Sequence, residues 1–191
     1  MLSCDQKAKV FGIGWAKTGT TTLGCALSIL GYQHMAQDLS ILPDVMTGNY
    51  KKAIEIARSS DSFDDWPWIL IYQKMDESFP GSKFILTVRE KYSWLSSYRA
   101  MLEREGPPSE YLAAMRRLIY GFDVEHACDK KLIQRYDQHN RDVLEYFSCR
   151  PGQLLVVDWE KDWGWDRICT HLGVKQPCSP FPWMNRRSIV E

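Results

Sequence analysis

Lys17 stands at the head of a run, Thr18-Gly19-Thr20-Thr21-Thr22, in which every residue is small or carries a hydroxyl. Such a run packs poorly but binds anions well. Glycine lets the backbone turn its N–H groups to one side, hydroxyls add donors, and the lysine ammonium adds a full charge. The flanking residues say what holds the run in place. Val10, Phe11 and Ile13 form a short apolar strand that ends at Gly14. Leu23, Ala26, Leu27 and Leu30 then recur at helical spacing and stop at Gly31. Strand, tight loop and helix set the unpaired N–H groups and positive end of a new helix against a phosphate. In the common nucleotide-hydrolysing loop, G-x-x-x-x-G-K-[ST], lysine follows the last glycine and the next hydroxyl serves magnesium. Here the lysine comes two residues before Gly19.

Arg89 is the second candidate. It follows Lys83 to Val88 (KFILTV), whose β-branched and aromatic content predicts a central parallel strand covered on both faces. Ser97 follows eight residues later, on a helix marked by Trp94, Leu95, Tyr98, Met101 and Leu102. An arginine fork can bond two phosphate oxygens at once. Candidate general bases are Asp65, its neighbour Asp64, and His34, read as ending a second strand near the loop. Asp65 also fits the role of N-cap for a helix after Trp66. His126, His139 and His171 fall on predicted helices without partner motifs and read as structural. Asn185, Arg186 and Arg187 in the tail are candidate phosphate contacts.

The rest of the chain must position these groups. Short strands are read at Tyr32–Met35, within 59–68, and at Gln153–Val157. Helices are read at Tyr50–Arg58, Ile69–Phe79, Ser109–Tyr120, Ala127–Phe147 and Asp166–Leu172. Gln37–Asn49, with Pro43 and Gly48, reads as loop. Strands alternating with helices predict an α/β fold with a parallel sheet and right-handed crossovers. Ligands in such sheets bind at the carboxyl ends of the strands, where Gly14–Thr22, Asp65 and Arg89 would lie.

The 191 residues read as one domain, 1–191. Twenty-four basic residues balance twenty-four acidic ones, which argues against a nucleic acid or an anionic membrane as partner. The N-terminus has no apolar segment of the secretory kind, and no run nears ~20 apolar residues, so a cytoplasmic protein is expected. Six cysteines have no metal-ligand spacing. Trp66, Trp68, Trp94 and Trp183 sit beside candidate site residues and are candidates for lining an apolar acceptor pocket.

Lys17-Thr18-Gly19-Thr20-Thr21 resembles the K-[ST]-G-T-T loop of sulfotransferases, which grips the 5′-phosphosulfate of 3′-phosphoadenosine 5′-phosphosulfate (PAPS). Arg89 and Ser97 match that family's 3′-phosphate signature. Asp65-Trp66-Pro67 and FPGSKFILTVRE resemble the D-x-P segment and strand core of short sulfotransferase-like proteins. RPGQLLVVDWEKDWGWDRICTHLGV and PFPWMNR resemble their C-terminal half. The resemblance covers most of the chain except 104–150. It implies a three-layer, P-loop-NTPase-like fold and transfer of a sulfuryl group from PAPS to a hydroxyl or amine of a small, partly aromatic acceptor, without a metal. It implies that Gly14, Ala16, Lys17, Thr18, Gly19, Thr20, Thr21 and Thr22, with Arg89, Ser97, Arg186 and Arg187, hold the nucleotide. Lys17 would act on the oxygen bridging phosphate and sulfuryl groups. Lys17, Asp65 and His34 are the candidate catalytic residues.

The chain departs from vertebrate-type cytosolic members in three places. Thr22 stands where they carry an adenine-stacking tryptophan, and both the K-T-H base segment and the C-terminal G-x-x-G-x-x-K are absent. What stacks on adenine, and which of Asp65, Asp64 and His34 is the base, stay open, as do the acceptor's identity and a homodimeric state. Two other functions remain: a small-molecule or nucleotide kinase, and a catalytically silent nucleotide-binding protein. Against the kinase, the clearest strand ends in Arg89 where a magnesium site often has aspartate.

Overall fold

In the computed structural model, which describes residues 7–184, five parallel strands form one sheet between two layers of helices. The strands are β1 (Val10–Gly12), β2 (His34–Met35), β3 (Ser62–Phe63), β4 (Lys83–Thr87) and β5 (Leu154–Val157), in the order β2-β3-β1-β4-β5. The helices are α1 (Thr20–Ile29), α2 (Leu42–Met46), α3 (Lys51–Ser59), α4 (Tyr72–Ser78), α5 (Lys91–Glu105), α6 (Glu110–Tyr120), α7 (Asp129–Phe147) and α8 (Asp166–Leu172).

Side-chain alternation along the strands explains the two layers. Val10, Ile85, Leu155 and Val157 point to one face, where Leu23, Ala26 and Leu27 of α1 and Ile168 of α8 cover them. Phe11, Ile13, Phe63, Phe84 and Leu86 point to the other, against residues from α2 to α7. Phe11 is in register with Phe63 on β3 and with Phe84 on β4. The three rings stack across the strands at centroid distances of 5.1 and 5.5 Å. Each buried phenyl contributes about 1.5–3 kcal/mol over an exposed one, so this ladder fixes β1 between its neighbours.

The strand order also sets the ligand crevice. From β1 the chain crosses by α1 toward the β3/β2 side. From β4 it crosses by α5, α6 and α7, on the opposite face, to β5. Adjacent strands whose connections leave in opposite directions open a cleft at their carboxyl ends. Here that cleft lies between β1 and β4.

Four local expectations change. Residues 37–49 carry a 3₁₀ turn, Leu39–Ile41, and then α2. Pro43 lies in the first turn of α2, where its missing N–H costs nothing, so it starts the helix. The helix expected from Ile69 starts at Tyr72, because residues 65–71 form consecutive turns that bury Trp68 and Ile69. Asp65 is therefore not its N-cap. The helix expected from Ala127 starts at Asp129, which leaves His126 outside any helix. His34 opens β2 instead of ending it.

Candidate active site

The loop between β1 and α1 is shaped by contacts on its outer side. Gly14 crosses the end of β4 so closely that a Cβ would lie 1.9 Å from Thr87 Oγ1 and 2.5 Å from the Thr87 carbonyl oxygen. Only glycine fits. The Trp15 carbonyl accepts from both the N–H (3.3 Å) and the hydroxyl (2.6 Å) of Thr18. Since the Thr18 proton is used there, the Thr87 hydroxyl at 2.6 Å donates to Thr18 in turn. Trp15 itself is fully buried, its indole N–H on Tyr120 Oη at 3.1 Å and its ring edge-on to Trp66 and Tyr120.

Three further carbonyls of the loop are tied back in the same way. Ile13 accepts from His139 Nε2 at 2.7 Å, Ala16 from Trp94 Nε1 at 2.9 Å, and Gly19 from Trp159 Nε1 at 3.2 Å. Burial pushes the His139 pKa down to about 4, so at neutral pH it donates as the neutral Nε2–H tautomer. In a planar trans peptide the carbonyl and the next N–H point opposite ways. Tying back Ile13, Trp15, Ala16 and Gly19 therefore aims the N–H groups of Gly14, Ala16, Lys17 and Thr20 inward. Gly19, at φ 93°, caps α1 with no side-chain hydrogen bond, so the first N–H groups of the helix have no intrahelical acceptor. The result is a concave set of donors at a positive helix end, with Lys17 on it.

Lys17 (φ 73°) and Asp65 (φ 63°) are the non-glycine residues at positive φ among the described residues. Such a conformation costs about 1 kcal/mol or more and persists where the surroundings fix it, which is common at active sites. Asp65 follows β3 at the same edge of the sheet, and its carboxylate accepts from the Trp66 N–H at 2.9 Å. Burial raises its pKa to about 6, aided by the Asp64 charge and opposed by that N–H bond and by Lys17.

The other two base candidates are spoken for. His34 has Nδ1 3.0 Å from the Ser62 hydroxyl and Nε2 3.4 Å from the Asp64 carboxylate. Ser62 is fully buried and Asp64 nearly so. Both His34 and Asp64 pack against Gly24 of α1. Asp64 does end a strand next to β1, so the strand-end aspartate expected of a magnesium site is present, contrary to the inference from Arg89 alone. Its carboxylate is turned toward His34.

Arg89 leaves the end of β4 with its backbone clamped by one hydroxyl. Tyr136 Oη accepts from the Arg89 N–H and donates to its carbonyl, both at 2.9 Å. Its Nη2 meets the Glu160 carboxylate at 2.8 Å, while Nε is buried without a partner. Ser97 lies two turns into α5, half-buried. The turn after β5 touches both anion-facing regions: Trp159 holds the Gly19 carbonyl and Glu160 holds Arg89. Phe181 packs among Trp159, Trp163 and Trp165, and Trp183 stacks on Trp163 at 4.0 Å. The tail then reaches α1, where the Met184 N–H donates to Thr22 Oγ1 at 3.3 Å. Asn185, Arg186 and Arg187 lie outside the described residues.

Beside Ala16 and Asp65 opens a cavity of about 340 Å³, walled chiefly by Trp66, Tyr98, Met101, Met115, Ile119 and Tyr120. Of the three base candidates, only Asp65 lines it. Of the four tryptophans considered for such a pocket, Trp66 lines it. Trp68 and Trp94 are fully buried, on the Ala36 and Ala16 carbonyls, and Trp183 belongs to the tail cluster.

Sequence reasoning missed Trp159, Glu160, Tyr136, and the pocket's Arg116 and Glu105. The strand-end rule could have found the first two, since Asp158-Trp159-Glu160 directly follows a strand legible as QLLVV. Tyr136 and Arg116 meet the site only through helix packing. One consequence is testable. An anion that takes the Arg89 fork through Nη2 displaces Glu160, and a partly exposed pair of this kind contributes about 0.2–1 kcal/mol. Glu160→Gln should therefore tighten adenosine 3′,5′-bisphosphate by roughly two- to fivefold in calorimetric titration. An unchanged or weakened affinity would mean that the ligand does not meet Arg89.

No curated protein matches the chain. A family model described as the sulfotransferase domain matches residues 9–190, nearly its whole length. With a parallel sheet, a donor-lined loop after β1 and an arginine ending β4, the chain belongs to the sulfotransferase domain family.

Proposed function

We propose that the protein moves a sulfuryl group from PAPS to a hydroxyl or amine of a small, partly aromatic acceptor. The observation that carries this is the pairing, across the β1/β4 crevice, of a loop with its carbonyls tied outward and an arginine with part of its fork unsatisfied. Two separate anion sites suit a nucleotide with phosphates at both its 3′ and 5′ positions. When bound, PAPS supplies an activated sulfuryl group on a phosphosulfate anhydride.

The chain's residues divide the work. The inward N–H groups of Gly14, Ala16, Lys17 and Thr20, with the hydroxyls of Thr20 to Thr22, hold the 5′ end. Thr18 shapes the loop through Trp15 and Thr87. Arg89 and Ser97 hold the 3′-phosphate. The Lys17 ammonium stabilises negative charge as it grows on the bridging oxygen. Asp65 borders the cavity that would admit the acceptor, and takes the proton that its hydroxyl or amine loses. His34 and Asp64 act instead as a buried support under α1. The apolar aromatic walls favour an acceptor with an apolar ring. Free cysteines, three of them exposed among the described residues, suit a reducing cytoplasmic setting.

Incubation with sulfur-labelled PAPS and a panel of phenols, alcohols and amines tests the reading directly. Labelled product is expected without added magnesium, and label that never leaves the donor would refute it. Lys17→Ala should lower kcat by roughly 10²–10³-fold, with a much smaller change in bisphosphate affinity. Near-normal turnover would make Lys17 a bystander.

Asp65 makes the pH dependence specific. A base must be ionised, so kcat/KM should climb as pH rises through about 6. Asp65→Asn should abolish that limb and cost roughly 10²–10⁴-fold. Stability should move the other way. The folded pKa lies above the unfolded value, so ionisation destabilises the fold, and this cost grows from about pH 4 to its full size above about 6. The Asn variant should thus melt higher than wild type above pH 6, with the gain fading in acid. A variant that loses activity and melts lower at neutral pH would point to a structural role for Asp65.

A further inference from the structure

We propose that the cavity beside Asp65 selects its occupant by charge: it favours an apolar aromatic acceptor bearing an ammonium group over an uncharged analogue, and rejects a carboxylate analogue. What happens to the occupant rests on the sulfotransferase reading; which occupant enters does not.

Among the cavity's walls, Asp65, Glu105 and Arg116 carry charge. Arg116 would suit an anion if it were available, but it is already matched twice. Its Nη2 meets Glu105 and its Nη1 meets Glu125 at 2.6 Å, with its side chain only 9% exposed. Two carboxylates thus share that one guanidinium, and Asp65 is a further acid on the cavity wall. An entering carboxylate would find no unpaired positive charge there and would face Glu105 and Asp65. Juxtaposed like charges at a poorly hydrated interface cost several kcal/mol. Glu105 is different in kind from the rest of the wall. It is the last residue of α5, and its side chain is 41% exposed. That leaves one carboxylate of the wall within reach of solvent and of a cationic tail. Burial raises both wall phenols, Tyr98 to about 12, so Tyr98 and Tyr120 stay neutral and add no charge to the wall. An acceptor with a hydroxyl toward Asp65, a ring among Trp66, Met115 and Tyr120, and an ammonium at Glu105 satisfies every wall.

Three para-substituted phenols that differ only in their tails test this: tyramine, para-ethylphenol and para-hydroxyphenylacetate. Their binding is measured by calorimetry with adenosine 3′,5′-bisphosphate present, and their sulfation by kcat/KM. Tyramine should bind roughly tenfold tighter than para-ethylphenol, and para-hydroxyphenylacetate at least tenfold weaker. In Glu105→Gln, where the amide can still accept from Arg116, the ratio of tyramine to para-ethylphenol should collapse toward one. A carboxylate phenol that binds as well as para-ethylphenol overturns the proposal, as does a tyramine preference that survives Glu105→Gln. If the three bind in the expected order but none is sulfated, the sulfotransferase reading fails and the charge selection stands. Sulfation of all three in the reverse order sinks the selection and leaves the reaction intact.

Discussion

The account depends on one constraint: four backbone carbonyls of the β1–α1 loop are held by fixed donors, three of them from outside the loop. His139 on α7, Trp94 on α5, Trp159 after β5 and Thr18 within the loop each donate to one of them. Planarity of the peptide then fixes where the intervening N–H groups point. A loop that had to choose its conformation when a ligand arrived would lose binding energy to ordering. Here the ordering is done during folding, by buried donors. Left unpaired, a buried indole or imidazole N–H would cost about 1–3 kcal/mol, so these donors hold the loop firmly.

The same constraint explains why distant parts of the chain are needed for a short motif. The loop is made by residues 13–19, yet its shape is enforced from positions 87, 94, 139 and 159. The sheet brings them together, since the ends of β1, β4 and β5 are neighbours. The turn after β5 has a double attachment, Trp159 to the loop and Glu160 to Arg89. Movement of that turn would therefore be felt both at the loop and at Arg89. Asp65 follows β3, which pairs with β1 on the side away from β4 and Arg89.

Much of this was legible in the residues. The loop, the KFILTV strand and the arginine that follows it are local patterns whose physical meaning does not depend on the rest of the chain. The alternation of strands and helices carried the parallel sheet. What local pattern could not reveal falls into three kinds. Pro43 marks a loop by local pattern, yet it lies in the first turn of α2, where the burial of Leu42 and Val45 decides the matter. Residues that act across the fold, such as Tyr136 clamping Arg89 or Glu125 closing off Arg116, carry no spacing signal. His34 shows a third difficulty. Local pattern puts it at the end of β2 near the loop, but it opens that strand, and its ring is bound between Ser62 and Asp64.

The central claim is that the crevice grips a nucleotide at two separated phosphates. The most direct measurement compares adenosine 3′,5′-bisphosphate, adenosine 5′-monophosphate and ATP with magnesium by calorimetric titration of the wild-type protein and Arg89→Ala. The account predicts that the bisphosphate binds tightest to the wild type, and that Arg89→Ala weakens it by about 2–4 kcal/mol while hardly affecting the monophosphate. Tighter binding of ATP with magnesium, or an equal loss for both adenosine ligands in the variant, would contradict it.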